Sequence, residues 1–103
     1  MTKRKLGLMV STAPDHPNAG IAIGLSRAAL DRGLDVYLYL IDDAVSAVED
    51  EELQALAARG LKLFVCAYGC QQRRLPLSDK ATNCGLVVLT DVINGTDRFL
   101  ALN

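Results

Sequence analysis

One short segment of this chain, residues 36–41, is apolar at every position apart from the hydroxyl groups of its two tyrosines. A strand with one solvated face alternates apolar and polar residues. A strand that lies inside a parallel sheet is covered on both faces, and it therefore reads as a continuous apolar run. The segment predicts a central strand of a parallel sheet, which requires helices to cover both faces.

The rest of the chain alternates in the same way between short apolar runs and windows with helical spacing. Further strands are predicted over residues 6–11, 61–65 and 99–102, and the apolar run 86–89 reads as a strand by β-propensity, with helix left open. Parallel strands are joined by right-handed crossovers, usually through helices. The fold class expected is therefore three-layer α/β, a mainly parallel sheet of flavodoxin or Rossmann type, formed by a single domain over residues 1–103.

Two helices are predicted in some detail. The first covers about residues 18–32 and is apolar around most of its circumference, so Gly20 and Gly24 are expected to let its backbone approach the sheet or another helix. For the second helix, Ser46 and Glu49 have the spacing of a capping box and are expected to mark its start.

Composition excludes several classes of function. The 103 residues include 11 Lys and Arg against 12 Asp and Glu, giving a net charge of -1, and a nucleic-acid or anionic-membrane partner would call for a basic excess. Residues 1–5 resemble the start of a signal peptide, but the apolar stretch 6–10 is too short to be its core. A cytoplasmic protein without a membrane span is expected.

Three cysteines carry the most specific chemistry. An odd count does not form a disulfide framework, so free thiols, metal ligands or catalysts are expected. Cys66 follows the strand 61–65 and precedes a short helix predicted over 68–74, which places it at the open carboxyl edge of the sheet. A helix start and nearby arginines, here Arg73 and Arg74, both favour the reactive thiolate. The alternative is that Cys66 is a buried small apolar residue.

The other two thiols are open to several interpretations. Cys70, four residues after Cys66, would share a helix face with it at a spacing too wide for an unstrained disulfide. It could exchange sulfur with Cys66 after rearrangement, or simply pack under the helix. The three cysteines and His16 could form a zinc site, although Cys84 lacks the close second cysteine that such sites usually have. No glycine-rich phosphate loop follows the first strand, so no cofactor is implied.

The order of several motifs resembles the DsrE/DsrF-like proteins. These are Pro17-Asn18-Ala19 opening an alanine-rich helix, the segment 35–45, the segment 61–66 with the later Arg73-Arg74 doublet, and residues 96–100. The resemblance covers nearly the whole chain. It implies a three-layer α/β domain that forms trimers or hexamers, and a helix over residues 85–94 in place of a strand.

The resemblance also implies a function. In such proteins a cysteine after the third main strand accepts sulfane sulfur as a persulfide and passes it to a carrier-protein thiol, and Cys66 matches that position. Cys70 is then the candidate second thiol, while Tyr68, Arg73 and Arg74 are candidates for binding a donor or carrier protein. Two alternatives remain: a non-catalytic subunit of a DsrE-like hetero-oligomer, and a metal-binding or dithiol redox protein.

Overall fold

The fold is built on five parallel strands. The computed structural model describes residues 3–103, so Met1 and Thr2, which begin the basic N-terminal segment, lie outside the described residues. The strands are β1 (Lys5–Val10), β2 (Asp35–Leu40), β3 (Lys62–Cys66), β4 (Thr82–Cys84) and β5 (Arg98–Leu102). The helices are α1 (Pro17–Asp31), α2 (Glu51–Ala58), α3 (Ala67–Gln72) and α4 (Leu86–Gly95), with a 3₁₀ helix at Asp42–Ala47.

The strands lie in the order β4-β3-β2-β1-β5, and every pairing is parallel. The apolar run identified in the sequence is the central strand β2, where Val36, Leu38 and Tyr39 have no exposed surface. The predicted α/β class with a parallel sheet is therefore confirmed.

The two faces of the sheet differ in chemistry. On β2 the aliphatic residues Val36, Leu38 and Leu40 alternate with Tyr37 and Tyr39. Successive side chains of a strand point to opposite faces. One face, here called the aliphatic face, is covered by α1, α2 and the 3₁₀ helix, which meet around Leu38 and Leu40. The other, called the aromatic face, carries the tyrosines of β2.

Helix α4 covers the aromatic face because the chain crosses back over the sheet between β4 and β5. The connections from β1 to β4 step one way across the sheet, whereas β5 lies on the far side of β1. A right-handed crossover in the reverse direction must place its helix on the opposite face. Val88 and Val92 of α4 accordingly line a groove with Tyr37 and Phe64. One helix thus covers a face that spans five strands.

Gly7 of β1 is required by close packing on the aromatic face. A Cβ atom at this position would lie 2.9 Å from both Phe99 Cδ1 and Thr96 Oγ1. Gly20 and Gly24, by contrast, face open space in α1, with nothing within 4 Å of a Cβ at either position. The expectation that these two glycines allow close helix packing is wrong for this chain.

The start of α2 also differs from the predicted capping box. Asp50, not Ser46, is the N-cap, and its side chain accepts hydrogen bonds from the backbone N–H groups of Glu52 and Leu53 at 2.9 and 3.1 Å. The hydroxyl of Ser46 donates instead to the carbonyl of Asp43 within the 3₁₀ helix. Asp50 precedes two acidic residues at the positive end of the helix, so this later start is better stabilised.

Two further differences concern the last third of the chain. Residues 86–95 form helix α4, as the family resemblance implied, and not the strand that β-propensity favoured. Strand β4, at residues 82–84, was not predicted, because the sequence Thr-Asn-Cys lacks an apolar pattern. Within the described residues, no helix has the length and apolar character needed to cross a membrane.

Candidate functional site

Cys66 occupies the junction between strand and helix that the sequence predicted. It is the last residue of β3 and the N-cap of α3, with extended backbone angles. The N–H group of Gly69 donates to its sulfur at a nitrogen to sulfur distance of 3.4 Å. A Cβ at Gly69 would lie 3.1 Å from Val45 Cγ1, so glycine lets this turn pack against the 3₁₀ helix. The amide is thereby held where it can stabilise negative charge on sulfur.

The Cys66 side chain is nevertheless buried, with 3% of the residue exposed. The expectation of a solvent-open thiol at the sheet edge is wrong for this chain. Strand β4 contributes to this burial, because it lies beside β3 with Cys84 directly opposite Cys66. Because β4 was not predicted, its covering effect was also missed.

Cys84 and Tyr39 complete a cluster around Cys66 on the aromatic face. The Tyr39 hydroxyl donates to the carbonyl of Gly85 at 2.8 Å. Burial, together with both the Cys84 and the Cys66 thiol groups, raises the pKa of Tyr39 well above its usual value, so the phenol stays protonated. The Cys84 sulfur also lies 3.8 Å from the carbonyl oxygen of Val65.

The surroundings of the Cys84 thiol have opposing effects on its pKa. Burial raises its pKa and the neighbouring Cys66 adds to that effect, while hydrogen bonding with Tyr39 and with the backbone of Val65 lowers it. Its side chain is half-buried, whereas Cys66 and Cys70 are both buried. Cys84 is therefore the most accessible of the three thiols.

Cys70 lies beside the 3₁₀ helix and not beside Tyr39 and Cys84. It lines a cavity of about 130 Å³ with Val45, Val48 and Leu75, next to the 3₁₀ helix. Burial raises the pKa of the Cys70 thiol, Cys66 raises it further, and Arg73 partly opposes the shift. Cys70 is thus a protonated, buried thiol at neutral pH.

The two arginines of the basic doublet have separate surroundings. Arg73 donates from Nε and Nη2 to the carboxylate of Asp43 at 3.1 and 2.9 Å, and from Nη1 to the carbonyl of Gly69 at 3.2 Å. It therefore joins the end of α3 to the 3₁₀ helix. Arg74 is exposed and has a left-handed backbone with φ of 56° where α3 ends.

Tyr68 is an exposed side chain midway in sequence between the two buried thiols. It is 64% exposed, and its hydroxyl accepts a hydrogen bond from Gln72 Nε2 at 2.9 Å. Leu86 and Val87, just after Cys84, are also largely exposed. Apolar side chains therefore reach solvent on both elements that follow the thiol-bearing strands.

His16 is separate from the cysteines in its observed contacts. It is the N-cap of α1, where its Nδ1 accepts a hydrogen bond from the backbone N–H of Asn18 at 3.1 Å. Residues 3–103 contain no group of three or more His, Cys, Asp or Glu side chains arranged to hold a metal ion.

Comparison with known proteins gives one family. A sequence profile of the DsrE/DsrF-like family matches residues 4–102. The crystal structure of the ychN protein from E. coli superposes with a TM-score of 0.79 at 20% identity, covering 98% of this chain and 100% of that one. A conserved protein of unknown function from Bacteroides thetaiotaomicron, BT1422, gives a TM-score of 0.75 at 14% identity, covering 95% and 94%. No curated protein has significant sequence similarity.

Proposed function

Because the chain belongs to the DsrE/DsrF-like family, we propose that it is a sulfur-relay protein that carries sulfane sulfur as a persulfide on Cys66. The observation that supports this most directly is the position of Cys66 at the carboxyl end of β3, where the Gly69 amide donates to its sulfur. The same amide can stabilise either a thiolate or the terminal sulfur of a persulfide. The protein acts as a sulfurtransferase-like carrier.

The chemistry is an exchange between sulfur atoms and needs no cofactor. The Cys66 thiolate attacks the outer sulfur of a donor persulfide, so a new sulfur–sulfur bond forms on Cys66 while the bond in the donor breaks. The donor leaves as a thiolate with the electron pair of the broken bond. The reverse attack by a carrier-protein thiolate releases the sulfur, and no net oxidation of the protein occurs.

We propose that the partners are a sulfur donor protein and a sulfur-carrier protein, and that the chain works as a homo- or hetero-oligomer. Tyr68 in α3 and Arg74 just after it are exposed and are available for an acidic or apolar partner segment. Arg73 acts indirectly by holding α3 against Asp43. The exposed apolar residues of α4, including Val87 at 76%, support association with another protein chain.

A second candidate function is a non-catalytic subunit of a DsrE-like hetero-oligomer. The burial of Cys66 favours it, because a thiol that no donor can reach transfers nothing. The two functions differ in whether Cys66 reacts in the folded protein.

The experiment that separates them is incubation of the native protein with inorganic polysulfide until its intact mass is constant. We expect a gain of sulfur on the peptide containing Cys66, lost after reduction and absent from Cys66→Ser. A urea titration confirms that the variant is folded. If Cys66 gains sulfur only after the protein is denatured, the relay function is refuted and the non-catalytic subunit is supported.

A further inference from the structure

We propose that Cys84 is the second thiol of the relay, which exchanges sulfur with Cys66 and connects it to partners in solution. This inference rests on the proposed function of Cys66. It assigns to Cys84 the role for which the sequence suggested Cys70.

The pairing of β3 with β4 brings the two thiols together. Cys66 and Cys84 are register partners at the last position of the two strands. Neighbouring strands lie about 4.8 Å apart, so register partners are immediate neighbours across the two strands. Register partners point to the same face, so rotation about the side-chain bonds moves their sulfurs toward each other.

Tyr39 joins the two thiols into one cluster. Its side chain has no exposed surface, and Cys84 and Cys66 both lie close enough to raise the pKa of its hydroxyl. In the observed arrangement the hydroxyl donates its hydrogen bond to the carbonyl of Gly85. Rotation about the phenolic C–O bond redirects this proton to whichever sulfur holds negative charge, so one donor serves both thiols.

The exposure of the thiols gives the direction of transfer. Cys84 is half-buried, while Cys66 is buried. A donor therefore meets Cys84 first. Cys70 interacts with Cys66 but is buried against the cavity beside Val45, on the side away from Tyr39. Cys70 is therefore no more accessible to a donor than Cys66 itself.

The transfer balances without an oxidant. The Cys84 thiolate takes the outer sulfur of the donor, which leaves as a thiolate. Cys66 then attacks the outer sulfur of the Cys84 persulfide, and the sulfur–sulfur bond on Cys84 breaks as the one on Cys66 forms. The proton lost by Cys66 returns to the Cys84 sulfur, so the products are a Cys66 persulfide and a Cys84 thiol.

The test is a time course of native protein mixed with inorganic polysulfide, quenched with an alkylating reagent and mapped by peptide mass. In the wild type, sulfur appears first on Cys84 and then on Cys66. In Cys84→Ser, loading of Cys66 slows at least tenfold, whereas in Cys66→Ser the sulfur stays on Cys84. Cys84→Ala is the second variant, used if serine disturbs the packing, and urea midpoints show that each variant is folded.

The possible results separate this inference from the function on which it rests. If Cys66 loads equally fast in wild type, Cys84→Ser and Cys84→Ala, Cys66 remains a carrier and the role of Cys84 is refuted. Slowing in Cys70→Ser, and not in Cys84→Ser, also refutes it, in favour of Cys70. A disulfide between Cys66 and Cys84 with released hydrosulfide overturns the transfer step, since attack then occurs at the inner sulfur. Absence of sulfur from Cys66 in the wild type at constant mass refutes the relay function itself.

Discussion

Replacement of Tyr39 by phenylalanine removes the hydroxyl whose pKa is raised by burial and by both Cys84 and Cys66, and it leaves the ring in place. The variant loses the 2.8 Å hydrogen bond to Gly85, a net contribution of about 0.5–1.5 kcal/mol. Gly85 is exposed, so water can replace the lost donor, and we expect a cost of about 1 kcal/mol. For a domain of this size, that corresponds to a fall in Tm of about 4–8 °C.

The same substitution is expected to slow alkylation of Cys84. When Cys84 is ionised, the Tyr39 hydroxyl turns from Gly85 to the sulfur and lowers the pKa of this thiol, so loss of the hydroxyl reduces the thiolate population. A difference of about 1 kcal/mol corresponds to a factor of about five, and the higher intrinsic nucleophilicity of the more basic thiolate recovers about half of it on a logarithmic scale. Alkylation at neutral pH should therefore be about two- to threefold slower, as measured by peptide mass after timed iodoacetamide treatment.

Tyr37→Phe is the matched control, since Tyr37 lies two positions earlier on the same face of β2. Its ring stacks on Phe64 at a centroid distance of 6.5 Å, and Lys62 Nζ lies 5.1 Å from its centre. Its substitution should leave the alkylation rate of Cys84 unchanged. An equal or faster rate in Tyr39→Phe, with the protein folded, would show that the hydroxyl does not act on the Cys84 sulfur.

Three further predictions concern stability. Folding raises the pKa values of Cys70, Cys84 and Tyr39. Ionisation of these groups therefore costs no stability below the pKa of an unfolded thiol, about 8.5, and urea midpoints should decline steadily as the pH rises above that value. A midpoint that rises between pH 8 and 10 would contradict this. Gly7→Ala should lower the free energy of unfolding by about 1–3 kcal/mol, because its Cβ overlaps Phe99 and Thr96; an unchanged urea midpoint would refute that packing. Gly24→Ala should raise it by about 0.5–1 kcal/mol, because the new methyl group meets open space in a helix; a destabilised variant would show that this surface is covered in solution.

The sequence was sufficient to predict the fold class and the position of Cys66 between a strand and a helix. The apolar run in β2 requires a parallel sheet, and the change of pattern after residue 65 locates the start of α3. The depth of Cys66 was not predictable, because it depends on β4, which has no strand pattern of its own and is formed by pairing with β3.

The cluster of Cys84 and Tyr39 was missed for the same reason. Its parts are 45 residues apart in sequence. The available clue was the alternation within β2, where tyrosines occupy one face and aliphatic residues the other. This pattern indicates that the tyrosine hydroxyls on one face need hydrogen-bond partners, but it does not show which thiol lies near them.

Strand β4 is three residues long and lies at the edge of the sheet, paired on one side. Short edge segments open in local fluctuations whose free energy is well below that of global unfolding. When this edge detaches, the side of Cys66 that faces β4 is uncovered. In the proposed relay, pairing of β4 with β3 keeps a persulfide on Cys66 away from peroxide and other small oxidants while the protein diffuses.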